Sequence, residues 1–111
     1  MSIDAEKLTV VHNVPHTRFE IEAEGLLAIL EYRMRGNRMI FTHTGVPRPL
    51  EAQGLGSRLA KAGLEYAREH SHQVVPACEF MEVYIRRHKE YKDLVEDELL
   101  TREALPLLPA A

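Results

Sequence analysis

Residues 18–24, RFEIEAE, alternate strictly, with Phe19, Ile21 and Ala23 on one face and Arg18, Glu20, Glu22 and Glu24 on the other. That period of two predicts a half-buried strand. Glu24-Gly25 predicts a turn, and LLAILEYRMR (26–35) returns with Leu26, Ala28, Leu30, Tyr32 and Met34 on one side. Gly36-Asn37 predicts a second tight turn, because both residues tolerate positive φ. RMIFTHTGV (38–46) then reads as a further strand, and strict alternation puts His43 on the same face as Met39 and Phe41. Ahead of these, LTVVHNV (8–14) is rich in β-branched residues and stops at Pro15, which predicts a first strand. Four strands joined by short reversals make an antiparallel meander.

The period changes in the second half. From Leu55, apolar residues fall at 55, 59, 62, 66 and 67, one face of a helix, with Arg58, Lys61, Glu65, Arg68 and Glu69 on the other. The pattern fades at EHSH. QVVPAC (73–78) reads as a short apolar strand ended by Pro76, and EFMEVYIRRH (79–88) returns to helical spacing. The fold class is therefore α+β with an α/β-like half: a four-strand meander, a βαβ crossover and a second helix. A strand, a crossing helix and another strand make a parallel pair with right-handed connection. Their carboxyl ends, near Val46 and Cys78, then open on one crevice, where ligands of such sheets sit. Residues 1–95 read as one domain. Residues 96–111, with five leucines and two prolines, read as a C-terminal tail suited to docking on the domain or on a partner.

Composition narrows the classes. A chain of 111 residues fits one domain, and 45% hydrophobic with 28% charged residues is ordinary for a globular protein. A net charge of −3 argues against a nucleic-acid partner. The longest apolar run, Leu26 to Leu30, is far too short to span a membrane, and the polar start MSIDAEKL shows no secretory pattern. One cysteine, Cys78, permits no internal disulfide and suits a reducing, cytoplasmic setting. The six histidines are scattered, without ligand spacing, so no metal site is expected.

The chemistry concentrates in GVPRPLEAQGLGSRLAK (45–61), where Gly54 and Gly56 stand at the mouth of the helix. A helix start leaves its first N–H groups unpaired and carries partial positive charge, which suits an anion such as a diphosphate. Glycines there leave the backbone accessible and allow left-handed conformations, while Gln53 and Ser57 offer side-chain donors. The plainer alternative makes Gly54 part of a loop and Gly56 a close-packing residue. A Lys-Ser/Thr after the second glycine is absent, so this is not a nucleotide P-loop. Leu59 stands at the third glycine of the dinucleotide fingerprint, which excludes that motif too.

EAQGLGSRLAKAGLEYARE resembles the acyl-CoA-binding motif of the GNAT N-acetyltransferases, Gln/Arg-x-x-Gly-x-Gly/Ala, with Glu51 at its first position. The likeness is closer to the small, single-domain YjdJ-type branch. HTGVP (43–47), PAC (76–78) and RRHKEYKDLV (86–95) match its stretches, Lys89 standing where a proline is usual. The resemblance spans about residues 10 to 95 and implies a minimal GNAT (acyl-CoA N-acyltransferase) fold with acetyl-CoA as cosubstrate. It places the pyrophosphate on Gln53, Gly54, Leu55, Gly56 and Ser57 and the pantetheine arm along Thr44, Gly45 and Val46; His88, near the end of the last helix, is either a cofactor contact or a cation at the helix C-terminus. An amine, on a small molecule or a protein, would be the acceptor.

Two side chains are candidate catalytic groups. Cys78 lies between a strand end and a helix start, where a dipole favours negative charge; it is either an acetyl acceptor, a small soft contact, or simply a buried thiol. His43 lies on the strand that leads to the crevice, and imidazole is a base near neutral pH, although a half-buried structural His fits equally. Tyr84 and Tyr91 are weaker candidates as proton donors. A monomer or weak homodimer, free of nucleic acid and membrane, is expected. The competing reading is a CoA-binding sensing or interaction module with little turnover.

Overall fold

A computed structural model describes residues 7–95; the tail read at 96–111 lies outside the described residues. Five strands form one sheet in the order β1-β2-β3-β4-β5: β1 Val11–Asn13, β2 Arg18–Ala23, β3 Leu26–Arg35, β4 Arg38–Gly45 and β5 Gln73–Pro76. The first three pairings are antiparallel and β4 with β5 is parallel, as the crossover requires. Helix α1 spans Leu55–Glu69 and α2 spans Glu79–Arg87. The mixed α+β architecture, meander then crossover, is the one the hydrophobic pattern predicts.

The first strand is shorter than its β-branched composition predicts. Pairing covers three residues, and a 3-10 turn at Val14–His16 takes over, with the Asn13 side chain accepting from the His16 N–H at 3.3 Å. The turn ends with Thr17 in the left-handed region, φ 48°. At the β2–β3 hairpin both Glu24 and Gly25 have positive φ, 53° and 77°, as a two-residue type I′ turn demands. At the β3–β4 hairpin only Gly36 is left-handed. Asn37 instead ties that hairpin to the α1–β5 loop, donating to the Ser71 carbonyl at 2.8 Å and meeting His72 Nδ1 at 2.9 Å.

Helix α1 lies across β2, β3 and β4. Its buried face is broader than the apolar stripe read from sequence: Ala60, Gly63 and Leu64 are buried with Leu55, Leu59 and Ala67, while Ala62 and Tyr66 are half-buried. Gly63 explains the shift. A Cβ on it would stand 2.9 Å from Phe41 Cε1 and 3.0 Å from Leu30 Cδ2, so its absence lets helix and sheet approach closely. That contact offsets the ~1 kcal/mol that a helix-interior glycine costs. Met34, assigned to the core face of β3, is 40% exposed although its cross-strand partner Met39 is fully buried.

The segment after α2 is sewn back onto α1. Residues Lys89–Leu94 form 3-10 turns; Arg68 grips Asp93 through two hydrogen bonds of 3.0 Å and donates to the Glu90 carbonyl at 2.6 Å. Tyr91 donates to Glu65 at 2.6 Å, and burial and that carboxylate push the Tyr91 phenol far above its usual range. Tyr91 and Tyr84, weighed as proton donors, are both buried in the core cluster.

Candidate active site

A one-residue irregularity in β4 positions the site. Leu30 pairs with Thr44, Glu31 with His43, and then Tyr32 pairs with Phe41, so Thr42 is extra. Such a bulge reverses the alternation beyond it. Thr44 therefore joins Leu30 on the face that α1 covers, and His43 stands with Glu31 on the opposite face. This corrects the alternation-based reading, which put His43 beside Met39 and Phe41. His43 is exposed.

The bulge coincides with the parting of the parallel strands. The β4–β5 register ends at Phe41 with Pro76, closed by the Ala77 N–H to the Phe41 carbonyl at 3.0 Å. Beyond it β4 runs on to Gly45 while β5 gives way to α2, leaving that edge of Thr42–Gly45 without a strand partner among the described residues. Across the gap Thr44 Oγ1 lies 3.5 Å from Cys78 Sγ, and Cys78 packs half-buried against the core.

The helix face of this gap opens into a cleft of about 470 Å³. Thr44, Val46 and Leu50 form one wall, Glu51, Ala52 and Gly54 the loop rim, and Leu55, Gly56, Ser57 and Phe80 the rest. The 3-10 turn at Arg48–Leu50, shaped by Pro47 and Pro49, drops Leu50 into the core and carries the chain to the loop. Ala52 and Gly54 then both adopt positive φ, 66° and 76°.

The start of α1 is left open on the cleft. Its N-cap Gly54 supplies no side-chain hydrogen bond, and no acidic residue stands in the first turn. The Arg58 N–H to the Gly54 carbonyl, 3.1 Å, begins the helical ladder, so the N–H groups of Leu55, Gly56 and Ser57 precede it. A Cβ at Gly54 would meet nothing within 4 Å; backbone conformation, not crowding, requires glycine there. Gly56 is different: a Cβ would come within 2.8 Å of Phe80 Cζ. Uncapped donors, positive dipole and open space above Gly54 together fit a diphosphate. Glu51, exposed at the rim, is the one carboxylate among the lining residues.

Of the residues singled out from sequence, Thr44, Val46, Gly54, Leu55, Gly56 and Ser57 come together around this cleft, with Cys78 beside Thr44. Gly45 and Gln53 adjoin the lining. A Cβ on Gly45 would lie 3.2 Å from His43 Nε2, so the glycine makes room for that ring on the far face. His88 is not among them. It caps the opposite end of α2, its Nδ1 2.8 Å from the Tyr84 carbonyl and its ring stacked on Tyr84 at 3.9 Å. Sequence reasoning missed Leu50 and Phe80: Leu50 is a lone apolar residue in a proline-rich connection, Phe80 belongs to a helical stripe that periodicity treats as core, and only the packed structure shows Phe80 40% exposed in the cleft. Among the described residues no cluster of three or more His, Cys, Asp or Glu is placed to hold a metal, and no helix is long and apolar enough to cross a membrane.

A meander, a parallel crossover, strands that part after a bulge and a glycine-led helix start define a mixed α+β class with a ligand-sized cleft where the strands part. Residues 18–94 match the family model of the GCN5-related N-acetyltransferases, and the chain belongs to that family. It is also similar to the NMR solution structure of a GCN5-like protein from Staphylococcus aureus, with 30% identity and a TM-score of 0.65, over 80% of this chain and 88% of that one.

Proposed function

We propose that this protein is an acetyl-CoA-dependent N-acetyltransferase acting on an amine. The observation that carries the reading is the open, uncapped start of α1 beside a gap between two parted parallel strands. In this reading the N–H groups of Leu55, Gly56 and Ser57 hold the diphosphate of the coenzyme, with Gln53 and the Ser57 hydroxyl in support. The unpartnered edge at Thr44, Gly45 and Val46 binds the pantetheine arm, and a backbone N–H there polarises the thioester carbonyl. Bound acetyl-CoA supplies an activated acetyl group.

The acceptor amine, with a pKa near ~10 in water, must lose a proton before it attacks. The acetyl end of the arm passes through the gap between the parted strands to the far face of β4, where the exposed His43 imidazole takes that proton directly or through water. An N–C bond forms, the C–S bond breaks, and the departing sulfur takes the second proton given up by the attacking nitrogen, so that the coenzyme leaves as its thiol. Attack is direct: Cys78 lies half-buried against Thr44 and serves as a small wall of the gap.

Calorimetric titration with CoA, paired with a thiol-release assay over an amine panel, tests the reading. Gly54→Asp puts bulk and a negative charge where the diphosphate would sit, and affinity should fall about a hundredfold, ~2.7 kcal/mol. Retained affinity in that variant overturns the loop assignment. In the same assay Cys78→Ala should keep its transfer activity; complete loss without unfolding would instead place the acetyl group on sulfur. Binding without thiol release from any amine would favour a CoA-binding module.

A further inference from the structure

The helix start explains how a diphosphate is held, but not how the cleft tells CoA from other nucleotides that carry the same group. We infer that Phe80 makes this distinction: its ring is the apolar surface against which the pantetheine arm lies. The inference rests on the cofactor reading above.

Three observations converge on Phe80. It lines the same cleft as Thr44 and Val46, yet it is 40% exposed, unlike the fully buried Leu50 and Leu55 nearby. A large ring left half in water, on the wall of a concave site, gains most from a ligand that covers it. Its position is also built rather than incidental. Gly56 is buried in the first turn of α1, and any Cβ there would strike the Phe80 ring at 2.8 Å and 3.2 Å. The ring thus sits directly on the backbone that carries the anion-binding N–H groups. Behind it, Tyr84 lies one helical turn along α2 with its ring parallel and 6.5 Å away, which limits how far Phe80 can withdraw. The two helix starts consequently meet through a Gly–Phe contact, polar donors on one side and an aromatic face on the other.

This arrangement assigns two tasks to neighbouring atoms. The N–H groups of residues 55–57 bind diphosphate in any nucleotide. The Phe80 ring rewards only a ligand whose chain continues from that diphosphate toward Thr44 as a flexible, largely apolar arm. ADP ends before reaching it; CoA does not. The second glycine of the loop therefore serves selectivity as much as anion binding, because it seats the ring.

Titration of the full chain with CoA and with ADP, for wild type, Phe80→Ala and Phe80→Leu, tests this. Wild type should bind CoA more tightly than ADP. Phe80→Ala should lose about tenfold in CoA affinity, ~1.4 kcal/mol, with ADP affinity unchanged, and Phe80→Leu should keep most of the preference. Equal losses for both ligands, or no loss for either, overturn the role of Phe80 while leaving the diphosphate site in place. Wild type that binds neither ligand overturns the cofactor reading and this inference with it. Circular dichroism of each variant checks folding, and a ligand-specific loss is one that general destabilisation does not produce.

Discussion

The two ends of α1 are built to opposite rules. At its start the first N–H groups have no side-chain cap, two loop residues adopt left-handed φ, and the surroundings are a cleft. At its end the polar groups are taken up. The His70 N–H donates to the Tyr66 carbonyl at 3.1 Å, and the His70 ring stacks on Tyr66 at 3.9 Å. His12, from β1, packs edge-on to Tyr66 at 4.5 Å, stacks on Phe19 at 4.1 Å and meets the Tyr32 hydroxyl at 2.6 Å. His72 is held by Asn37 of the β3–β4 hairpin. One end of the helix leaves its first N–H groups open on the cleft; the other spends its capacity on joining β1, the β3–β4 hairpin and the crossover. The difference teaches where stability and binding reside, and it can be attacked from the middle or from either end.

The largest effect should come from the middle. Gly63→Val puts branched bulk where even a single Cβ stands 2.9 Å from Phe41, lifting α1 off the sheet. We expect a loss of about 3 kcal/mol in chemical denaturation, with CoA binding weakened as well. Near-native stability would show that the helix–sheet contact is slack. Next, Tyr66→Ala removes the ring that His12, Phe19 and His70 share. It should cost about 2 kcal/mol, less than a fully buried aromatic because Tyr66 is half-buried, while CoA affinity stays at the wild-type value. An equal fall in affinity would mean that the two ends are coupled and the contrast is false.

The smallest effect is a pH dependence at the closed end. Burial first, and then the charge of nearby His70, hold the His12 imidazole below its usual value of 6.5. The unfolded chain therefore binds the proton more readily than the folded one. The contribution of His12 to stability is complete above the unfolded value and is lost as pH falls from there through the lowered, folded value. Tyr32, Tyr66 and His70 face this ring, and charging it also removes the acceptor for the Tyr32 hydroxyl. The melting temperature should fall as pH drops below the ordinary imidazole value of 6.5, and His12→Asn should flatten that slope. An unchanged slope would remove His12 from the account.

The sequence by itself determined the elements and their order. Alternation in RFEIEAE, the Glu24-Gly25 and Gly36-Asn37 turns, the helical spacing from Leu55 and the apolar QVVPAC are all local signals, and each became the predicted element within a residue or two of its bounds, QVVPAC pairing only over Gln73–Pro76. β1 is the exception, since its extent depends on what it can pair with at the sheet edge. The glycine loop was legible for the same reason, because left-handed φ at Gly54 is a property of one residue. What only the tertiary structure decided is which side chains share a surface. The extra residue at Thr42 arises from register between β3 and β4, and it alone determines that Thr44 faces the cleft while His43 faces away. Gly63 against Phe41, and Gly56 against Phe80, depend on the distance between packed elements that no window of sequence contains. Backbone conformation is set by near neighbours along the chain; the facing of a side chain beyond a bulge, and the room for a missing Cβ, are set by partners tens of residues away.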